Sequence, residues 1–359
     1  MNKFLDYTYW LYLLDALLKK PNVANGLLPD KIKPEDRVHD PVLGEAKKSL
    51  LPSKNWKPYR STGEEQKRPD SSETFACVTY SALNPAEQIM NRMKAMVANN
   101  EADEETRELV KIFNYFEFYN DRGEADLSDP FTAKMSNTSY RGNTYENVYY
   151  SIRHDGLVAE KYWPTPETYT WNEYFKVILQ AVKDRGKQFT DYVEVIYERF
   201  NDFQGVKEYS PCTASVHAGG DWNTDGVKQR TSLARNHSID NDYFEDGRYD
   251  GIFDSYQPYD KKVTWNYGMG AGRILTFKLK KSLKNKFETL LEGGTKYIIR
   301  AENKGEFYKV TPTGFEYYLR ESIDNAIADD TDLNTNLKEL TKQKKIMWVN
   351  EDWFNKMSS

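Results

Sequence analysis

Cysteine is scarce: Cys77 and Cys212 are the two in 359 residues, too few for a disulfide framework or a closed Cys-rich zinc site. A reducing compartment is the simplest reading. The four histidines form no His-x-x-x-His or Glu-x-x-His pair, so neither a metal nor a cofactor is expected. Basic charge is not in excess either. The formal net charge is −5, whereas a nucleic-acid partner needs Lys and Arg to neutralise phosphates. The short run Lys278-Leu-Lys-Lys-Ser-Leu-Lys-Asn-Lys reads as a solvated helix face, and no nucleic-acid partner is expected. Long apolar runs are missing too. No stretch approaches the ~20 residues of a membrane span. The N-terminal apolar stretch is interrupted by Asp6 and Asp15 and followed by Lys19-Lys20-Pro21 instead of a cleavage site. Neither a signal peptide nor a membrane partner is expected, and the localisation reads as cytoplasmic. Apolar residues make up 39%, but 26 Tyr and 8 Trp add buried ring area with a polar handle, which favours folded domains.

Along the chain, residues 1–20 read as a helix and 21–72 as an extended arm with turns. Asn84-Pro-Ala-Glu87 reads as a helix start, with a cap, a first-turn proline and a capping-box Glu. Ile89, Met90, Met93 and Met96 then give one apolar face. Further helices are expected over 104–119, over 143–155 closed by Gly156, and over 171–186 with Phe175, Val177, Ile178 and Val182 inward. Residues 187–203 continue the helical half. After about 205, short apolar runs separated by Gly, Asn and Asp read as strands and turns. Helices followed by strands predict an α+β domain of two lobes. Residues 278–359 read as a separate small module, with strands at Lys296-Tyr-Ile-Ile-Arg300, Glu306-Phe-Tyr-Lys-Val310 and Ile346-Met-Trp-Val349 and a charged helix from Leu337. Asp240, Asp242, Glu245 and Asp246 lack calcium-loop spacing and read as a solvated turn.

One constellation carries chemistry. Cys77 sits among small and aromatic residues before helical sequence, and a helix N-terminus favours the thiolate. His237, in Asn236-His-Ser-Ile-Asp, opens one strand-like run. Asp254 closes the next, so it can orient the imidazole. Either segment alone also fits a buried thiol or a surface histidine. His39, His154 and His217 have no such setting.

In their order Cys77, His237, Asp254, with successive members 160 and 17 positions apart, these residues resemble papain-like cysteine peptidases. Ala76-Cys-Val-Thr-Tyr-Ser-Ala is similar to the family's Cys-Trp-Ala-Phe segment, and Leu127-Ser-Asp-Pro-Phe to its Leu-Ser-Glu-Gln segment. The stretch from Gly142 to Pro164 resembles its Gly-Gly, helix, Gly-Ile, Tyr-Pro stretch. Ser210-Pro-Cys resembles its Gly-Pro-Val strand, and Ile252-Phe-Asp-Ser-Tyr its Asn-Ser-Trp segment. The likeness covers roughly 60–276 and is nearest to divergent papain-like proteins encoded by tailed phages. It implies an α+β papain-like fold, a helical lobe then an antiparallel β lobe. The implied domains are an N-terminal helix and arm (1–66), a peptidase domain (67–277) and a small α+β binding or docking module (278–359).

The resemblance further implies a cysteine-type peptidase acting on peptide or protein substrates through Cys77, His237 and Asp254. A virion or host-protein partner for the C-terminal module, and residence in host cytoplasm or virion, follow if the chain is phage-encoded. Three departures stand out. Asp254 replaces the family's Asn. Pro85 lies eight residues after Cys77, so the nucleophile's helix is expected to be short or kinked. The family's oxyanion Gln is absent at its usual spacing, which leaves Gln66, eleven residues before Cys77, as the candidate donor. The missing Gln, the Pro85 break and the extra C-terminal module favour an alternative, a weak or inactive papain-fold structural or interaction protein of a virion; Asp254 remains an adequate orienter. A peptidoglycan amidase of the Cys–His type is disfavoured, because such domains place Cys and His much closer. Residues 21–66 read either as a propeptide over the groove or as a strap.

Overall fold

A computed structural model describes residues 26–30, 51, 55–200, 210–219, 222, 226–229, 234–245, 248–264, 267, 269–280, 297–300, 307–311, 314–318 and 346–349. The chain divides into two compact units, Met1–Ser282 and Leu283–Ser359. The expected helices over 1–20 and from Leu337 lie outside the described residues.

The first unit is α+β, helices first and a mostly antiparallel sheet after them. Its helices are α1 (Cys77–Ala98), α2 (Glu104–Tyr115), α3 (Asp129–Met135), α4 (Tyr145–His154), α5 (Trp171–Tyr174) and α6 (Gln180–Tyr192). Short polar side chains set most of their starts. Asp103, Ser128, Thr144 and Thr170 each accept a backbone N–H of the first turn, satisfying donors that the helix cannot.

α1 corrects the reading of Asn84 as a helix start. Pro85 lies inside one 22-residue helix that already begins at Cys77. A proline there removes one hydrogen bond, at roughly 3 kcal/mol. Burial outweighs it: Val78, Tyr80, Ala82, Leu83, Ala86, Ile89, Met90 and Met93 are all core, at about 1.5–3 kcal/mol for each large side chain. The helix expected over 104–119 stops at Tyr115, because Glu117 turns into the left-handed region at φ 58°. The helix expected over 171–186 is instead two, and Val177 between them is 80% exposed.

The helical half ends at Tyr192, earlier than residue 203. Val193–Phe200 forms β1, whose buried Val193, Val195 and Ile196 suit a strand. The remaining strands are β2 (Cys212–Val216), β3 (Val227–Lys228), β4 (His237–Glu245), β5 (Tyr249–Phe253), β6 (Asp260–Thr264) and β7 (Gly270–Leu279). Their order is β1-β7-β2-β4-β5-β6-β3. All neighbours are antiparallel except β3 with β6. Lys278 therefore lies within β7 instead of starting a helix face, and residues 281–286 of that run lie outside the described residues. Phe113 on α2, Phe189 on α6 and Phe277 on β7 are fully buried, with Phe113–Phe277 centroids 5.2 Å apart, so aromatic packing seats the helices on the sheet edge.

Asp240 and Asp242 correct another expectation. They are buried within β4, not in a solvated turn. Arg60 donates to both oxygens of Asp242 at 2.5 and 2.7 Å, and Gln88 on α1 donates to Asp240 at 2.7 Å. Arg60 thus pairs the Asp242 carboxylate, while burial and then the neighbouring Asp242 push the Asp240 carboxyl well above its ordinary pKa.

In the second unit β8 (Tyr297–Arg300) pairs antiparallel with β9 (Phe307–Thr311), and β9 with β10 (Gly314–Tyr318). β11 (Ile346–Val349) runs parallel to β8. No helix among the described residues is long and apolar enough to cross a membrane.

Candidate active site

Cys77 is the first residue of α1, after Ala76, which gives no side-chain cap. Ala76 O accepts from Thr79 and Tyr80, so the N–H groups of Cys77 and Val78 have no acceptor within the helix. The positive end of the helix dipole thus lies at the sulfur.

His237 opens β4, and β4 is stitched to α1. Cys77, Ser81 and Gln88 share a helix face at spacings of four and seven. The Ser81 and Ser238 hydroxyls are 2.5 Å apart, and Ser238 also donates to the Tyr145 hydroxyl at 2.7 Å. With Gln88 bonded to Asp240, two levels of contact hold the histidine strand against the cysteine helix.

Asp254 follows β5 directly, beside β4. Its Oδ1 accepts from His237 Nε2 and from the Ser255 N–H, both at 2.7 Å. Its Oδ2 accepts from Trp222 Nε1 at 2.6 Å and from Lys261 Nζ at 2.9 Å. His237 Nδ1 has no hydrogen-bond partner among the described residues, which leaves it open to Cys77, whose side chain acts on the ring by charge. Burial alone would push the imidazolium pKa down, but Asp254 and Cys77 outweigh it and raise it to about 10. Burial would likewise raise Asp254, but His237 and Lys261 hold its carboxyl far below the ordinary value. The rings of Trp222 and Tyr256, with centroids 6.1 and 5.6 Å from that of His237, flank the imidazole. The structure thus brings Cys77, His237 and Asp254 together, all at most 1% exposed.

Gln66 is also beside this site, but not as a free donor. Its Nε2 donates to Glu73 Oε1 at 2.7 Å and to the Tyr256 hydroxyl at 2.6 Å, while its Oε1 accepts from Ser255 Oγ at 2.9 Å. Both amide protons are therefore engaged. Glu73 in turn accepts from the Phe75 N–H at 3.0 Å and the Tyr256 hydroxyl at 2.7 Å.

Residues 26–30 of the arm cross the thiol. Gly26 O accepts from Asn143 N at 2.8 Å, and Asn143 O accepts from Leu28 N at 2.7 Å, a parallel bridge centred on Leu27. On the other side Asn236 O accepts from Gly26 N and Leu27 N at 3.2 and 3.4 Å. Asp30 is held by Arg273 at 2.9 Å and by the Glu146 N–H at 3.1 Å. The approach demands glycine: a Cβ on Gly26 would lie 2.4 Å from Cys77 Sγ, and one on Gly142, at φ +97°, 2.0 Å from Gly26 O.

Sequence reasoning did not single out Trp222, Lys261, Tyr256, Glu73 or Asn143 as site residues. For Lys261 there was a signal: it shares the inward face of β6 with Val263. The other histidines stand apart. His154 ends α4 and His217 Nδ1 bonds Ala234 O; His39 lies outside the described residues. Among the described residues, no three or more His, Cys, Asp or Glu are arranged to hold a metal ion.

No family model and no curated protein matches the chain. Several solved structures are similar. Xylellain, a cysteine protease from Xylella fastidiosa, aligns over 74% of this chain and 99% of its own with 12% identity and a TM-score of 0.45. The procathepsin B S9 of Trypanosoma congolense aligns over 79% and 99% with 10% identity and a TM-score of 0.44. The digestive procathepsin L 3 of Tenebrio molitor larval midgut aligns over 77% and 81% with 13% identity and a TM-score of 0.42.

Proposed function

We propose that the chain is a papain-like cysteine peptidase held in a self-blocked form, with Cys77 as nucleophile, His237 as acid and base, and Asp254 as orienter. The observation that carries this reading is the buried His237, bonded to Asp254 through Nε2 with its other nitrogen left to a thiol at a helix N-terminus. In such a pair the thiolate attacks the peptide carbonyl, and the imidazolium gives its proton to the leaving amine. Water, deprotonated by the neutral imidazole, then releases the acyl group from sulfur. The N–H of Cys77 faces the developing oxyanion. Gln66 can join it once one amide proton leaves Glu73 or Tyr256.

Residues 26–30 support a peptide as the substrate class. The groups that hold them, Asn143 N–H and C=O and the Asn236 carbonyl, are those an extended peptide uses when it adds to a strand. The same segment favours a second reading, in which the site stays closed and the fold serves as a structural or interaction protein, for example in a virion. A thiol-directed activity probe and casein digestion separate the two. Labelling at Cys77 and casein cleavage, both abolished by His237→Ala, support the peptidase. Folded full-length protein that neither labels nor cleaves, even after limited proteolysis within the arm, sinks it.

A further inference from the structure

Asp254 brings a full negative charge where a neutral amide could also orient the ring. That charge favours the imidazolium, and a histidine bound too firmly to its proton transfers it poorly. The structure supplies a counterweight on the other oxygen. Lys261, 2% exposed on β6, places Nζ 2.9 Å from Asp254 Oδ2, the oxygen that does not face His237. Its remaining protons go to the carbonyls of Tyr256 and, at 2.6 Å, Pro258. A fully satisfied ammonium is thereby fixed behind the carboxylate.

We propose that Lys261 is a positioning residue whose ammonium offsets the charge of Asp254 on His237, so that the Lys261–Asp254 pair does the work of a neutral amide. The proposal rests on the reading of Cys77 and His237 as the reactive pair. The other charged and titratable groups around it are accounted for. Burial lowers the pKa of Lys261, and Asp254 opposes that shift, while Lys228 and Glu65 act on it with opposite signs. Cys77 faces His237 directly, and Tyr145 faces Cys77. Tyr256, backed by Glu73, lies against the imidazole ring. Of the two groups bonded to Oδ2, Trp222 is neutral, so the compensating charge there is that of Lys261.

The sign follows from the geometry. With Lys261 removed, the unopposed carboxylate holds the imidazolium more tightly and His237 titrates higher. With Asp254 made neutral and Lys261 kept, the ammonium and burial both oppose the imidazolium and His237 titrates lower. The test is a pH titration of ring-nitrogen resonances in full-length, histidine-labelled protein, which has four histidines to assign. Lys261→Met is expected to raise the His237 midpoint by about one pH unit or more, and Lys261→Arg, which keeps the charge, to leave it near wild type. Should Lys261→Met fail to fold, Asp254→Asn and Asp254→Asn/Lys261→Met carry the same comparison without an unpaired carboxylate, and the double variant must titrate above the single one. A folded Lys261→Met titrating at or below wild type, or two Asn variants titrating together, overturns the proposal. The resonances report whether or not the protein cleaves peptides. The expected shifts without activity would sink the peptidase reading alone, and activity without the shifts would sink the role of Lys261 alone. In active protein, the alkaline limb of kcat/KM moves with the His237 midpoint.

Discussion

Gly26→Ala tests the block across the thiol. The added methyl would lie 2.4 Å from Cys77 Sγ and 3.1 Å from Phe75 O, against roughly 3.5–4 Å for ordinary contact. The segment must therefore shift by more than ~1 Å. Four backbone hydrogen bonds join it to Asn143 and Asn236, and at about 0.5–1.5 kcal/mol each they hold it by about 2–6 kcal/mol. The shift breaks at least the two made by Gly26 itself, a loss of about 1–3 kcal/mol, which makes the open form roughly 5- to 150-fold more populated. Alkylation of Cys77 by iodoacetamide reads this directly, since the thiol is 0% exposed while the segment is in place. Peptide mass spectrometry gives the rate at each cysteine. Cys212 is the internal control, because burial first, and then the charges of Asp240, Asp250 and Asp242, push its thiol pKa well above the ordinary value. The expected result is faster labelling at Cys77 with Cys212 unchanged. Equal Cys77 rates in wild type and Gly26→Ala, with matching circular dichroism and Tm, would refute the idea that residues 26–30 limit access to the thiol.

Gln66→Ala leaves Glu73, Tyr256 and Ser255 without their shared partner, and one of those bonds is to a carboxylate. A loss of about 2–4 kcal/mol is expected, seen as a lower urea midpoint at constant m; an unchanged midpoint contradicts the network. Stability should also be higher at pH 5 than at pH 8.5. Glu87 and Asp129 are pushed well above ordinary carboxyl pKa values by burial and neighbouring carboxylates, and Glu160 to about 8 for the same reasons. The native state therefore binds more protons than the unfolded chain from about pH 4 upward, and stability falls as pH rises. His237 adds the same sign. Its contribution is present below about 6.5 and is lost as pH climbs toward about 10. Asp254, held low, contributes above about pH 4 and stays constant across this window. A higher urea midpoint at pH 8.5 than at pH 5 would contradict the sign.

Cys77, His237 and Asp254 could be read together from the sequence because each is announced locally. One precedes a helical pattern, and the other two bound strand-like runs 17 residues apart, so pairing β4 with β5 brings them to the same end. Pro85 misled because propensity is local whereas the burial that carries α1 through it is tertiary. Asp240 and Asp242 misled because their partners, Arg60 and Gln88, are about 150 or more residues away, and charges without a visible partner read as solvated. The same distance hides Gly26 and Glu73, which reach the site from the arm and the approach to α1, where no periodicity tells which backbone lies over which side chain. Lys261 is the instructive middle case. It lies seven residues after Asp254 at an inward position of β6, and a lysine there is tolerated when a carboxylate waits inside. A sequence that writes Asp where a neutral amide suffices thus also writes, within one hairpin, the cation that keeps the imidazole usable. The substitution and its compensation are legible as a pair, even though neither says anything alone.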